Sequence, residues 1–162
     1  MSERAITELA RRLGPCCKRR GVMVATAESC TGGGVAQAIT RIAGSSEWFE
    51  RGFVTYTNAA KEEMLGVARA TLDAHGAVSE EVASEMATGA LAHSRAGVSV
   101  AVTGVAGPGG GSREKPVGLV WLAWTHRGGP VQVRRFVFAG DRAAVRAQSV
   151  AVALQGLIDL LR

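Results

Sequence analysis

The chain has 162 residues, of which 47% are apolar and 20% are charged, and this balance excludes a disordered chain. A chain of this length can bury about two-thirds of its surface, so we expect one domain that spans residues 1–162. No apolar run approaches the ~20 residues of a membrane span, and charged residues interrupt the N-terminus where an export signal would lie. We therefore expect a cytoplasmic protein without a membrane partner.

Nineteen lysines and arginines against fourteen acidic residues give a net charge of +5, which permits an anionic partner. The basic residues are spread along the chain, and this favours a solvated basic surface over a specific nucleic-acid site. The three cysteines (Cys16, Cys17 and Cys30) and the three histidines lack the spacing of metal ligands. The sequence therefore predicts no protein-bound metal.

The N-terminal third of the chain predicts a helix, a buried strand and a second helix. Ser2 is placed to cap the first helix, and Gly14-Pro15 predicts a break or a kink within it. A strand over residues 22–26 leads into a glycine-rich turn. The apolar spacing after that turn predicts a helix that begins near Val35 and closes at residues 44–46.

The middle of the chain predicts one strand and two helices. β-Branched and aromatic residues at 53–57 predict the strand, and Asn58 is the expected N-cap of a helix over residues 59–66. Ser79 is placed to cap a longer helix that Gly97 stops.

The C-terminal third predicts three strands and a last helix. The strands cover residues 98–103, 117–125 and 131–138, and a short turn typical of a β-hairpin joins the last two. Gly140-Asp141 begins the final helix. The sequence thus predicts an α/β three-layer sandwich: a mixed, mostly parallel sheet with helices on both faces and one β-hairpin.

Three predicted strands run directly into polar or glycine-rich segments, and α/β sheets bind ligands at the carboxyl ends of their strands. In the first segment, Ser29 is a candidate nucleophile beside the free N–H groups of a helix start, which can stabilise an oxyanion. Cys30 is a rival nucleophile, because a helix N-terminus lowers the pKa of a thiol. A plain capping role for the serine is the alternative to both.

The second segment contains Tyr56 and Lys61. The lysine would fall at the third position of its helix, where its charge opposes the helix dipole. That field, with some burial, would lower the pKa of Lys61 and let the amine act as a base. The alternatives are a solvated lysine paired with Glu62 or Glu63, and a tyrosine that only packs against its strand.

The third segment is the glycine-rich loop after Thr103, whose N–H groups could form a concave anion site. The loop lacks the Gly-Lys-Ser/Thr of a Walker A motif and the spacing of a dinucleotide fingerprint, and its alternative role is a flexible connection. Farther on, Arg142 and Arg146 share a helix face. They either clamp a phosphate or a carboxylate, or they are ordinary surface arginines.

Together these segments resemble the CinA C-terminal domain family. The resemblance covers the chain from about residue 5 to its end, and Pro15 departs from it by falling where the family has an unbroken helix. It rests on several ordered motifs: TAESCTGG at 26–33, GSSEWF at 44–49, YTNAAK at 56–61, GAVS at 76–79, TGVAGPGGG at 103–111, KPVG at 115–118 and GDR at 140–142.

Stand-alone members of that family include nicotinamide-nucleotide amidases. The resemblance therefore implies hydrolysis of nicotinamide mononucleotide to nicotinic acid mononucleotide and ammonia, without a metal or an organic cofactor. It implies a homodimer and, since the domain that precedes this module in longer members has no counterpart here, a free-standing amidase.

The resemblance also implies roles for individual residues. Ser29 is the expected nucleophile, Lys61 its base, and Tyr56 the group that relays or orients the proton. Residues expected to bind the substrate are Thr31, Gly32, Gly33, Thr103, Gly104, Gly107, Gly109, Gly110 and Arg142.

Two other functions stay open at this point. The chain could be a non-catalytic nucleotide-binding or regulatory module, although the presence of both Ser29 and Lys61 argues against it. The positive charge and the family's competence-and-damage name suggest a DNA-associated protein. Specific phosphate contacts would make binding fall steeply with salt, whereas we expect weak binding with a shallow dependence.

Overall fold

The computed structural model describes residues 1–162 and contains six α-helices, one short 3₁₀ helix (Ser45–Glu47) and one five-stranded sheet. None of the helices combines the length and the apolar character that crossing a bilayer requires. In chain order the elements are α1 (Glu3–Arg20), β1 (Val24–Glu28), α2 (Gly34–Thr40), β2 (Phe49–Val54), α3 (Asn58–Leu65), α4 (Arg69–His75), α5 (Glu80–Ala92), β3 (Val98–Gly104), β4 (Leu119–His126), β5 (Gln132–Val137) and α6 (Arg142–Leu160).

The sheet has the strand order β2-β1-β3-β4-β5. Strand β1 runs parallel to both β2 and β3, while β4 runs antiparallel to β3 and to β5. All strands except β4 therefore point the same way, and the expectation of a mixed, mostly parallel sheet is confirmed. The central strands β1 and β3 are buried almost throughout, because helices cover both faces of the sheet.

The helices form a layer on each face of the sheet, which confirms the three-layer sandwich. Helices α1, α2 and α6 cover one face, and α3, α4 and α5 cover the other. Alternate residues of the central strands divide between the layers: Val100 and Val102 pack under α6, whereas Ala25, Ala27 and Ala101 face α5. The small side chains on the second face leave room for α5 to lie close to the sheet.

Helix α1 is continuous from Glu3 to Arg20, so the predicted break at Pro15 is wrong. The proline ring is on the exposed side, and Leu13 and Cys17 on either side of it are completely buried. Burial of Leu13, Cys17 and the other apolar side chains of α1 against α6 offsets the roughly 3 kcal/mol that a proline costs inside a helix. The expected cap is confirmed, since the Ser2 hydroxyl accepts a hydrogen bond from the N–H of Ala5 at 3.1 Å.

One strand and one helix in the middle of the chain also differ from the prediction. Strand β2 spans Phe49–Val54 and not residues 53–57, because it pairs along the whole of β1, from Val24 opposite Phe49 to Glu28 opposite Val54. Pairing with a neighbour sets the ends of a strand more firmly than its own composition does. Helix α4 was not predicted, and its seven residues bury only Leu72.

The strand register brings the three predicted segments together at one edge of the sheet. Glu28 lies opposite Val54 on one side and opposite Val102 on the other. Ser29 and Thr55, the residues that follow β1 and β2, therefore lie beside Thr103, the last residue but one of β3, at the carboxyl ends of these strands. This edge is where a parallel α/β sheet binds its ligand.

Candidate active site

A cavity of about 260 Å³ opens at this edge of the sheet. Its wall includes Ser29 and Cys30 after β1, and Tyr56 and Lys61 after β2. The end of β3, the loop after it and the start of α6 contribute Thr103, Gly104, Gly107, Gly109 and Arg142. Most of the residues expected from the sequence to form the site are therefore neighbours in space.

Lys61 and Ser29 meet inside this cavity. The Lys61 Nζ lies 3.1 Å from Ser29 Oγ and donates a hydrogen bond to the carbonyl of Thr55 at 2.9 Å. Lys61 is 1% exposed, and no carboxyl group lies within 4.0 Å of its Nζ. Burial lowers the pKa of Lys61, and a smaller opposing effect of Cys30 raises it. The arrangement suits an uncharged amine that accepts the serine proton.

The start of helix α3 sets the position of Lys61. Thr57, and not Asn58, is the N-cap: its backbone is extended, and its hydroxyl accepts a hydrogen bond from the N–H of Ala60 at 3.1 Å. Lys61 is therefore the fourth residue of the helix instead of the third. It lies on the inner face of α3, one turn before Leu65, and both side chains are buried. Lys61 is therefore not the solvated lysine, paired with Glu62 or Glu63, that was the alternative.

Glu28 is a buried carboxyl group that the sequence analysis did not identify as part of the site. Its Oε1 accepts hydrogen bonds from the Thr31 hydroxyl at 2.6 Å and the Val35 N–H at 2.8 Å, and its Oε2 accepts from the Ala36 N–H at 3.1 Å. The carboxyl thus caps α2, whose own N-cap, Gly33, has no side chain to do so. The sequence signal was an acidic residue at the end of a buried strand, followed by a helix without a capping side chain.

This capping corrects the expectation that the N–H groups at the start of α2 face the reacting atoms. The N–H of Gly34 donates to Thr31, and those of Val35 and Ala36 donate to Glu28. The segment before the helix is different, because the N–H groups of Cys30, Thr31 and Gly33 have no acceptor within the chain. Of these three residues only Cys30 lines the cavity, so its N–H is the oxyanion donor that the first segment can offer.

We expect Glu28→Ala to lower the free energy of unfolding by about 2–4 kcal/mol, because two N–H groups and one hydroxyl lose their buried acceptor. The urea midpoint measures this change, and Glu63→Ala, at an exposed position of α3, is the control for removing a carboxyl group. Equal midpoints for the two variants would show that Glu28 does not hold the Ser29 segment.

Arg142 connects two walls of the cavity. Its Nη2 donates to the Tyr56 hydroxyl at 2.7 Å, and its Nη1 donates to the carbonyl of Gly107 at 2.8 Å. The Tyr56 side chain is half exposed, and its hydroxyl makes no hydrogen bond with Ser29 or Lys61. Tyr56 therefore pairs with Arg142 and not with the expected nucleophile and its base.

The remaining expected residues divide into two groups. The Thr103 hydroxyl lines the cavity and donates to the carbonyl of Ala77 at 2.8 Å. The others do not line the cavity: the Thr31 hydroxyl is held by Glu28, and Gly32 and Gly33 form the left-handed turn (φ +57° and +99°) that carries the chain into α2. Gly110 also lies outside the lining residues.

Cys30 is a poor nucleophile in this environment. It is buried beside Ser29, and burial raises its pKa to about 11. The thiol therefore stays protonated near neutral pH, contrary to the expectation that a helix start would lower its pKa. Nor is there any group of three or more His, Cys, Asp or Glu side chains that could hold a metal ion.

Comparison with known proteins shows the family of this chain. The sequence model of the CinA C-terminal domain matches residues 6–161. The chain belongs to the CinA C-terminal domain family. Relatives in that family include the nicotinamide-nucleotide amidohydrolase PncC of Escherichia coli K12, which is 56% identical over 157 residues, or 97% of this chain and 95% of the relative.

Two further relatives agree in sequence and in structure. The nicotinamide-nucleotide amidohydrolase PncC of Pseudomonas putida is 57% identical over 155 residues, which cover 96% of each chain. The crystal structure of the competence/damage inducible protein CihA from Agrobacterium tumefaciens superimposes with a TM-score of 0.95 at 54% identity, covering 98% of this chain and 96% of that one. The CinA fold predicted from the sequence motifs is thus confirmed along the whole chain.

Proposed function

We propose that this chain hydrolyses the carboxamide of nicotinamide mononucleotide, giving nicotinic acid mononucleotide and ammonia, with Ser29 as the nucleophile and Lys61 as its base. The reaction follows from full-length relatives named nicotinamide-nucleotide amidohydrolase at 56–57% identity. The single observation that supports the residue assignment is the 3.1 Å contact between Ser29 Oγ and a completely buried Lys61 Nζ.

In the first half of the reaction, Ser29 Oγ attacks the amide carbon while its proton moves to the uncharged Lys61 Nζ. The carbonyl oxygen becomes an oxyanion, which the unpaired N–H group of Cys30 can stabilise. When the tetrahedral intermediate collapses, the C–N bond breaks and Lys61 returns the proton to the leaving nitrogen. Ammonia departs, and an ester of Ser29 remains.

In the second half, water replaces the serine. Lys61 Nζ, again uncharged, takes a proton from a water molecule as the water oxygen attacks the ester carbon. The intermediate then expels Ser29 Oγ, which recovers its proton from Lys61. The hydrogen bond from Nζ to the Thr55 carbonyl keeps the amine in one orientation, so the same base can serve both halves of the reaction.

The substrate would lie across the cavity between the nucleophile and the glycine-rich loop. Thr103, Gly104, Gly107 and Gly109 line this side, and the N–H groups of Gly107, Gly109 and Gly110 have no acceptor in the chain. Arg142 gives the cavity a positive charge without a carboxyl neighbour. Tyr56, through its hydrogen bond to Arg142, would position that charge against the nucleotide.

The purified chain is expected to release one ammonia for each nicotinic acid mononucleotide formed from nicotinamide mononucleotide, and a chelator is expected to leave the rate unchanged. A coupled ammonia assay and chromatographic separation of the nucleotides measure the stoichiometry. Binding of the nucleotide without turnover would instead support the non-catalytic module.

A further inference from the structure

A second, larger cavity lies beside the proposed catalytic cavity, at the start of helix α6. Its volume is about 630 Å³. The two cavities share Ala106 and Arg142, so a ligand can extend from one into the other. A mononucleotide needs such a second compartment, since the pyridine ring and the ribose separate its phosphate from the amide that reacts.

The lining of the second cavity suits a phosphate. Arg142 and Arg146, one turn apart on α6, both contribute to the lining, and neither guanidinium has a carboxyl group within 4.0 Å. The N–H groups of Arg142 and Ala143, in the first turn of this 19-residue helix, have no acceptor in the chain. The one carboxyl group in the lining, Asp141, accepts the N–H of Ala144 as the helix N-cap.

Arg146 also lies close to the nucleophile's segment. Its Nη2 donates to the carbonyl of Thr31 at 3.3 Å, only two residues beyond Ser29. A Cβ atom at Gly32 would lie 3.4 Å from the same Nη2, so the absence of a side chain there leaves the guanidinium free to approach. Its charge also lowers the pKa of Cys30 as one of the smaller influences on that thiol. Arg146 therefore lies at the edge of the reaction site and also lines the second cavity.

We propose that this second cavity is the 5′-phosphate subsite and that Arg146 makes the enzyme prefer a nucleotide over the corresponding nucleoside. This inference rests on the proposed function for the identity of the substrate. The phosphate accepts hydrogen bonds from Arg146 and Arg142 and from the free N–H groups that begin α6. In this arrangement Arg146 binds the phosphate and not the amide, so its contribution to substrate binding should be confined to substrates that carry a phosphate.

The test compares nicotinamide mononucleotide with nicotinamide riboside, which has the same amide but no phosphate. We expect Arg146→Ala to lower the ratio of kcat/KM for the nucleotide to kcat/KM for the riboside by about 10- to 100-fold, the effect of losing a hydrogen bond between charged groups. Arg146→Lys, which keeps a charge without the two-pronged geometry, should give a smaller loss. Arg69→Ala, which removes an equal charge at the exposed start of α4 on the opposite face of the sheet, is the matched control.

Calorimetric binding of ribose 5-phosphate gives a readout that does not require turnover. Its dissociation constant should rise by about 10- to 100-fold in Arg146→Ala and stay constant in Arg69→Ala. Equal affinity of Arg146→Ala and the unaltered chain for this probe would overturn the inference, as would an equal fall in kcat/KM for both substrates. The latter result would mean that Arg146 acts on the Ser29 segment through Thr31. A different outcome is that the unaltered chain releases no ammonia while its binding of ribose 5-phosphate still depends on Arg146. That combination would overturn the proposed reaction but would still support the phosphate subsite.

Discussion

Ser29→Ala is expected to lower kcat for ammonia release from nicotinamide mononucleotide by about 10³-fold or more, because the loss of a nucleophile leaves only binding and oxyanion stabilisation to accelerate the reaction. The side chain is small and 8% exposed, so removal of its hydroxyl should change the melting temperature little. The KM for the nucleotide should change little as well, since the binding groups are untouched.

Two controls make the Ser29 result specific. Cys30→Ala removes the neighbouring thiol, whose raised pKa of about 11 makes it a poor nucleophile, and this variant should keep most of the activity. Acid quenching of the unaltered chain during turnover should reveal, by mass spectrometry, an ester of nicotinic acid mononucleotide on the peptide that carries Ser29. Retention of a tenth or more of kcat in Ser29→Ala would reject the serine and direct the same experiment to Cys30.

Replacement of Lys61 should have the second largest effect. Lys61→Met keeps the length and most of the volume of the side chain but removes the amine, and kcat should fall by about 10²- to 10⁴-fold, as for the loss of a general base. Lys61→Arg should be equally inactive, because a guanidinium stays protonated and cannot accept the proton of Ser29. A Lys61→Met variant within tenfold of the unaltered chain, or an active Lys61→Arg variant, would contradict the assignment.

The dependence of the reaction on pH follows from the same amine. Burial lowers the pKa of Lys61 below the ordinary lysine value of 10.5, and only the uncharged form can accept a proton. We therefore expect kcat/KM to rise with pH through this lowered pKa and to level off before pH 10.5. In Lys61→Met the residual kcat/KM should no longer rise with pH over this range.

Stability should change with pH in the same direction. Between the lowered pKa of the folded chain and the ordinary value, Lys61 binds a proton in the unfolded chain but not in the folded one. The contribution of this group to the free energy of unfolding therefore rises with pH across that interval. Comparison of the urea midpoints of the unaltered chain and Lys61→Met over this range isolates the contribution, since the substitution removes the titrating group.

The pairing of Ser29 with Lys61 illustrates how far the sequence could lead. Each residue follows a predicted strand, and the rule that ligands bind at the carboxyl ends of parallel strands was sufficient to expect them at one edge. The motifs that resemble the CinA C-terminal domain family added their roles. What the pattern could not supply was the 3.1 Å separation of Oγ and Nζ, because that distance depends on the register of β1 with β2 and on the residue at which α3 begins.

Errors in the sequence analysis arose where two local choices were nearly equal in energy. Thr57 and Asn58 are both good capping residues, and only the extended backbone at Thr57 decided between them. Pro15 disfavours a helix locally, yet burial of the side chains around it keeps α1 continuous. Glu28 was given no role, because its carboxyl group becomes a cap only once α2 folds over it.

The amino-acid sequence by itself determined the alternation of strands and helices, the family and the residue types available for amide hydrolysis, because these depend on local spacing and on ordered motifs. The tertiary structure decided which of those residues are neighbours and how burial and nearby charges affect each of them. It buried Lys61 beside Ser29, turned Glu28 into the cap of α2, and placed Arg142 and Arg146 on the wall of one cavity. Such contacts join residues that lie far apart in the chain, and burial depends on every layer that packs around a group, so neither can be read from local sequence.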